Sequence, residues 1–422
     1  MKNKKKKNVW ILNHYASMAM YEKGGRHYWF AKELLKKGYL PTILCADIIH
    51  NVKEKIEIEN GKYGVKISEG IPFVLVKTVP YRGNGVSRIR NMLSYYRSVQ
   101  KIVNDYLKTG AAKPDVILAS SVHPLTCSAG LRIARKLNIP CIVEIRDLWP
   151  EDFVSGGMLK AGNPIVKVMY QYEKALYQKA DAVVFTMEGG AEYISDKKWD
   201  IEHGGKIDLN KVYNINNGVL LSDFDSNAAK YVSDDADLNS KDKFNLVYTG
   251  SIRWANDMGI LLDMAKELKD IKTMQLLIWG GGNYVEELQR RIKEEHIDNV
   301  IYKGVVPKSE IPGIITKSDV NIINWRNLSV LKYGTSYNKF FEYLAAGKPI
   351  FSTVKSGYSV IKRNHCGIEA MSITAEECAK DIRRLYNETE ERNLFGKNAR
   401  EAAKEFDFTV LTDKLINIIE SL

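Results

Sequence analysis

The stretch "FNLVYTGSIRWANDMGILLDMAKELKD", Phe244–Asp270, carries the reading on which the fold turns. A short β-rich apolar run closes on Gly250, a polar turn follows, and "MGILLDMAKELKD" then shows the spacing of an amphipathic helix. Strand, tight turn and helix in that order form the repeating unit of parallel α/β architecture.

Reading outward, the unit recurs in both halves of the chain. Strands are expected in the first half at "NVWILN", "LPTILCA", "FVLVKT", "DVILAS", "PCIVEIRD" and "AVVFT", and in the second at "FNLVYTG", "MQLLIWG", "NVIYKG", "VNIIN" and "KPIFST". Helices such as "HYWFAKELLKKG", "NYVEELQRRIKEEHI" and "YNKFFEYLAAG" separate them. The pattern restarts after "KVYNINNGVLLSDFD" and the polar "NAAKYVSDDADLNSKDK". We therefore expect two Rossmann-like domains, residues 1–215 and 216–400, with residues 401–422 forming a last helix. That helix, "LTDKLINIIESL", has Leu411, Leu415, Ile418 and Ile419 on one face and is expected to pack back towards the first domain. Two such domains facing each other predict an interdomain cleft as the ligand site. No short-period repeat is present, so solenoids are excluded.

Composition agrees. A chain of 422 residues exceeds one ordinary core, and 45% hydrophobic with 27% charged residues fits a folded globular protein. No run of about twenty apolar residues occurs, so no signal peptide or transmembrane helix is expected. Cys45, Cys127, Cys141, Cys366 and Cys378 show no metal-site spacing and read as reduced core residues of a cytosolic chain. The net charge of +11 favours anionic partners. The lysines of "KNKKKK", residues 2–7, read as a solvated terminus before a membrane tether. The helix "RIRNMLSYYRSVQKIVNDYL" places Ile89, Met92, Leu93, Tyr96, Val99 and Val103 on one stripe, mostly core, with a basic face that an anionic membrane could also meet.

Four stretches carry candidate chemistry. In "YEKGGRHYWFAKELLKKG" Gly24 and Gly25 precede a helix N-terminus and Arg26 adds charge, a setting for an anion, although the GxGxxG order is absent. In "IVEIRDLWPED" Arg146, Asp147 and Glu151 follow a buried strand, either as a structural ion pair or as site residues, and Trp149 with Pro150 forms an aromatic shelf. The turn after the Phe244 strand offers Gly250, Ser251, Arg253 and Asn256 to a diphosphate. In "GTSYNKFFEYLAAGKPI", Gly334–Ile350, "TSYN" supplies helix caps that include Asn338, and Lys339 and Glu342 share one face. They suit a phosphate and a ribose diol, or alternatively an i, i+3 salt bridge. The Asp-x-Asp of "DFD", Asp223–Asp225, and the "DDAD" run from Asp234 fall in the expected linker, so no metal site is assigned.

Taken together, "GGRHYWFAKELLKKGY", "RDLWPE", "INNGV", "YTGSIRWANDMGILLDMAK" and "FEYLAAGKP" resemble the retaining nucleotide-sugar glycosyltransferases of family 4, with the GT-B fold, particularly bacterial enzymes of capsule, O-antigen and exopolysaccharide assembly. The resemblance implies that Glu342 binds the donor ribose and that Gly304 and Val305 lie beside the base. It further implies a nucleotide-sugar donor, most commonly UDP-linked, no cofactor and no metal, and retention by front-face displacement without a protein nucleophile. Lipid-linked or oligosaccharide acceptors, peripheral contact with an anionic membrane, a cytoplasmic setting and no nucleic-acid partner complete the expectation.

Three departures stand out. The family's first glutamate is Gly334, its usual Arg and Lys after the first C-domain strand are Ser251 and Asn256, and its common His is Arg146. Arg253 and Lys339 are expected to take over the phosphate, and Gly334 to mark a donor lacking the usual hydroxyl contact, such as a deoxy or acetamido sugar. Candidate catalytic residues are thus Arg146, Asp147 and Lys339. Candidate donor-binding residues are Gly25, Arg26, Gly250, Ser251, Arg253, Asn256, Gly304, Val305, Asn338 and Glu342. A non-catalytic sugar-nucleotide-binding partner and a UDP-sugar 2-epimerase are the competing readings.

Overall fold

A computed structural model describes residues 7–49, 55–59, 61–81, 83 and 85–422; the lysine run at residues 2–6 lies outside them. The chain divides into two compact units, Met1–Asn216 with Leu411–Leu422, and Asn217–Val410.

Strands of the first unit are β1 Asn8–Leu12, β2 Leu40–Ala46, β3 Tyr63–Ser68, β4 Ile71–Val76, β5 Val116–Ser120, β6 Cys141–Ile145, β7 Ala182–Phe185 and β8 Val212–Asn214. They form one sheet in the order β3-β4-β2-β1-β5-β6-β7-β8, parallel except for β3, which pairs antiparallel with β4. The second unit holds β9 Phe244–Thr249, β10 Met274–Trp279, β11 Val300–Gly304, β12 Val320–Ile323, β13 Ile350–Ser352 and β14 Gly367–Glu369. Its six parallel strands run β11-β10-β9-β12-β13-β14. All six residues of β9 and of β10 are buried, as sheets covered on both faces demand. Each order reverses beside its first strand, between β1 and β5 and between β9 and β12. Such switch points open a crevice at the strands' carboxyl ends.

Two expectations shift. The last unit-1 segment starts at Leu411, not at residue 401, because the bridge of Val219 to Asp407 keeps the preceding residues in the second unit. Leu411, Leu415, Ile418 and Ile419 are buried as their spacing predicts, and within unit 1 Lys7 donates to the Ile419 carbonyl and Tyr39 to Glu420. In the Val86–Lys108 helix the buried stripe is Met92, Tyr95, Val99, Ile102, Val103 and Tyr106, whereas Ile89 is exposed, so the apolar face is rotated from the one expected. All five cysteines are buried and free. Among the described residues no helix is long and apolar enough to cross a membrane.

One buried charge pair organises unit 1. Arg26, at the start of the Arg26–Lys36 helix, donates from Nε to Glu144 Oε1 at 2.8 Å, and both side chains are about 2% exposed. Its remaining nitrogens reach the carbonyls of Ile215 at 2.8 Å and Asn216 at 2.5 Å. Glu144 also accepts from Ser120 at 2.6 Å and lies 3.3 Å from His27 Nε2. Arg26 holds its carboxyl well below the usual range, overcoming the opposing effect of burial. Removing one partner leaves the other buried and unpaired, so Arg26→Ala should destabilise unit 1 by about 3–5 kcal/mol in denaturant unfolding. Wild-type stability in that variant would refute the assignment.

Candidate functional site

In the second unit the turns after β9, β10 and β11 converge on one cavity of about 310 Å³. Gly250, Ser251, Trp279, Gly280, Gly281 and Val305 line it from the strand ends, and Lys339 and Glu342 from the Asn338–Ala345 helix. Its remaining walls are Thr249, Val306, Lys308 and Ile311.

The turns fit only because their backbones touch. Gly250 N–H donates to the Trp279 carbonyl at 2.9 Å and Ile252 N–H to the Gly281 carbonyl at 2.9 Å. A Cβ on Gly280 would lie 1.7 Å from the Gly250 oxygen, so no side chain is tolerated there. Tyr302 Oη donates to the Gly280 carbonyl at 2.9 Å, and Gly280 N–H to the Gly304 carbonyl at 2.8 Å, which ties β11 into the same rim.

The helix is registered by its next residue. Tyr343 Oη accepts from Thr249 N–H at 2.8 Å, anchoring the Asn338–Ala345 helix to the end of β9. Lys339 then reaches across the turn, where a Cβ on Gly250 would meet its Nζ at 2.9 Å. Nζ donates to Tyr248 Oη at 2.8 Å and lies 4.0 Å from that ring's centroid, and Tyr248 Oη donates on to the Ser251 carbonyl at 2.7 Å. Among the described residues Lys339 has no carboxylate in ion-pairing range, and the i, i+3 salt bridge with Glu342 is not formed. Burial pushes the Lys339 ammonium down to about 7, with Glu342 opposing the shift. Burial raises the Glu342 carboxyl, and Lys308 and then Lys339 counteract it.

The other unit-2 candidates divide. Gly304 ends β11 beside Val305, Asn338 is exposed at the start of its helix, and Arg253 is exposed with no side-chain partner among the described residues. Asn256 is a correction: its side chain is 1% exposed and outside the cavity wall, and its carbonyl accepts from Asn324. The turn doubles back at Asp257, which turns Asn256 inward. Sequence reading missed Gly280, Gly281 and Lys308; the signal was the triple glycine "GGG" directly after β10.

Gly334 has a backbone reason to be glycine. It follows the Ser329–Tyr333 turn of 3-10 helix at φ 97° and ψ 172°, a region essentially closed to other residues. The loop beyond it is fixed by Ser336, which accepts from Asn217 N–H at 2.7 Å on Oγ and from Asn217 Nδ2 at 2.6 Å on its carbonyl. Tyr337 stacks on Trp325 with centroids 5.0 Å apart.

In unit 1, Gly25 precedes the Arg26–Lys36 helix with φ 92°, and a Cβ there would meet nothing within 4 Å. Arg26 is a correction: its guanidinium is consumed by Glu144 and two carbonyls and is not available to a diphosphate. Arg146 and Asp147 follow β6; Arg146 N–H donates to Ser121 Oγ at 3.0 Å, and Arg146 Nε is buried without a partner among the described residues. Glu151 is held by Tyr170 and Lys197, and burial with Asp147 and Glu151 nearby pushes Asp152 up to about 7. At the β1/β5 switch, His14 Nδ1 and His123 Nε2 stand 2.7 Å apart, a pair that sequence reading did not single out.

Among the described residues no cluster of His, Cys, Asp and Glu could hold a metal ion. Restoring a glutamate by Gly334→Glu should cost about 1–3 kcal/mol through its backbone conformation, with no tighter nucleotide binding. Undiminished stability in thermal unfolding would show that the backbone does not select the glycine.

The model of glycosyl transferases group 1 matches residues 233–402, and that of the glycosyl transferase 4-like domain matches residues 28–203. An uncharacterized glycosyltransferase of Methanocaldococcus jannaschii is 24% identical over 57% of this chain and 59% of its own length. A putative teichuronic acid biosynthesis glycosyltransferase of Bacillus subtilis is 24% identical over 50% of each chain. The chain thus spans about half the length of the curated relatives it matches. Among solved structures, sucrose-phosphate synthase of Thermosynechococcus elongatus superimposes with a TM-score of 0.70 at 15% identity, covering 99% of both chains. HepE of Anabaena, solved with UDP and glucose, gives 0.65 at 12% identity over 99% of this chain and 100% of its own. At these identities the likeness shows the GT-B fold.

Proposed function

The chain belongs to the family 4 glycosyltransferases of GT-B fold, and on that premise we propose that its second unit binds a nucleotide-sugar donor, UDP-linked, for retaining transfer to a lipid-linked or glycan acceptor in surface-polysaccharide assembly. One observation carries the reading: Lys339, a half-buried ammonium with no carboxylate partner among the described residues, faces the backbone turn at Gly250 and Ser251. A partly desolvated cation without a counter-ion is costly, and an anionic ligand relieves the cost. A diphosphate placed there meets Lys339. Glu342, an acceptor-only carboxylate one helical turn further, suits the two ribose hydroxyls. The UDP-bound structure of HepE and the teichuronic acid assignment of the Bacillus relative support the donor and the pathway class.

In the reaction the departing diphosphate gains negative charge, which Lys339 stabilises. Retention follows from attack on the face the diphosphate leaves, with a donor phosphate oxygen taking the acceptor proton. Arg146 and Asp147 are proposed as catalytic residues and Gly25 as donor-binding, and the sugar is a hexose or an N-acetylated or deoxy amino sugar. The setting is cytoplasmic, peripheral on an anionic membrane.

Glu342→Ala should weaken UDP binding by about 1.5–3 kcal/mol, the loss of charged hydrogen bonds. Calorimetry giving the wild-type affinity would sink the ribose assignment. Incubation with UDP, GDP and dTDP sugars plus lipid extract, followed by mass analysis, should give released UDP and a glycosylated lipid. Binding of UDP without turnover would favour a non-catalytic partner, and epimerised donor without acceptor a 2-epimerase.

A further inference from the structure

Lys339 is seated by a tyrosine that lies outside the cavity wall. Tyr248 is fully buried in β9, in the core cluster that includes Leu246, Leu261 and Ile278, where phenylalanine would fill nearly the same volume. Its hydroxyl is the part that packing does not need. A buried hydroxyl costs free energy unless it is hydrogen-bonded, and this one is bonded twice, both times to residues of the candidate site.

A hydroxyl has one proton to give. Tyr248 Oη donates it to the Ser251 carbonyl at 2.7 Å, so towards Lys339 Nζ, 2.8 Å away, it can only accept. The ring completes the seat: Nζ lies 4.0 Å from its centroid, and a Cβ on Gly250 would meet Nζ at 2.9 Å. An ammonium carries three donors. With one turned to Tyr248, two remain for the cavity that Lys339 lines.

The helix that carries Lys339 is held by a separate tie. Tyr343, one turn further on, accepts from Thr249 N–H at 2.8 Å and lies 3.1 Å from Thr249 Oγ1. Adjacent strand residues thus divide the work: Thr249 fixes where the helix sits, and Tyr248 fixes where the end of one long side chain sits. A lysine that is free in the empty protein loses rotamer entropy when a ligand orders it, and one already seated loses less.

We propose that Tyr248 is a positioning residue for donor binding: without touching the nucleotide, its hydroxyl holds the Lys339 ammonium against the Gly250–Ser251 turn, preorganised for the diphosphate. The inference rests on the nucleotide-donor reading and adds to it a residue that acts through Lys339.

Tyr248→Phe keeps the ring and removes the hydroxyl, and a double-mutant cycle with Lys339→Met separates positioning from packing. Calorimetry on the full chain should show Tyr248→Phe binding UDP about tenfold more weakly than the wild type. In the Lys339→Met background the same change should alter UDP affinity by less than about twofold, because the group it positions is gone. Wild-type UDP affinity in Tyr248→Phe, or an equal loss in both backgrounds, overturns the positioning role and leaves the donor reading standing. Wild-type protein that does not bind UDP overturns the donor reading and this inference with it.

Discussion

The ammonium of Lys339, half-buried between Tyr248 and the backbone of Gly250 with no carboxylate in range among the described residues, is the constraint around which the second unit is arranged. Desolvating a cation costs several kcal/mol unless a counter-charge is supplied. Here the cost is lessened by the Tyr248 hydroxyl and ring and by a lowered proton affinity. The surrounding features keep the ammonium there: Tyr343 registers the helix on β9, and Gly280 lets the neighbouring turn close over the strand end.

Arg26 supplies the contrast. It is a fully buried cation at a helix start behind a glycine turn, and Glu144 and the carbonyls of Ile215 and Asn216 engage all three of its nitrogens. One guanidinium thereby joins three separated stretches of sequence, "GGR", "VEIRD" and "INNGV", into a single structural unit. Pairing separates the two roles: Arg26 holds the fold of unit 1, whereas Lys339 lacks the partner that a ligand can provide.

Much of the fold was legible because its signals are local. Each principal strand ends in the turn residues that its sequence displays, and the closing helix buries the four residues its spacing selects. Tyr63–Ser68 and Gly367–Glu369 escaped because short edge strands carry little pattern of their own. In the candidate site, Gly250, Ser251, Val305, Lys339 and Glu342 were readable from strand-turn-helix order and from the resemblance. Gly280 and Lys308 were not, because their place in the wall is set by how three turns pack, which no spacing along one segment encodes. Arg26 and Asn256 were misread for the same reason, since a charged or amide side chain at a turn looks identical in sequence whether it faces a ligand or the core. Gly334 likewise resembles a lost carboxylate until its positive φ is known.

On the proposed function, Lys339 is the cation awaiting a nucleoside diphosphate. Ligand-free, its ammonium gives up its proton at a pH of about 7. A bound diphosphate favours the charged form and raises that value, so above pH 7 binding must draw a proton from solution, and below it the proton is already present. UDP titrated calorimetrically at pH 8 in buffers of different ionisation enthalpy measures this directly. The wild type should take up a large fraction of one proton per UDP, and this uptake should disappear in Lys339→Met. Equal proton uptake by the two proteins, at equal affinity, would contradict it.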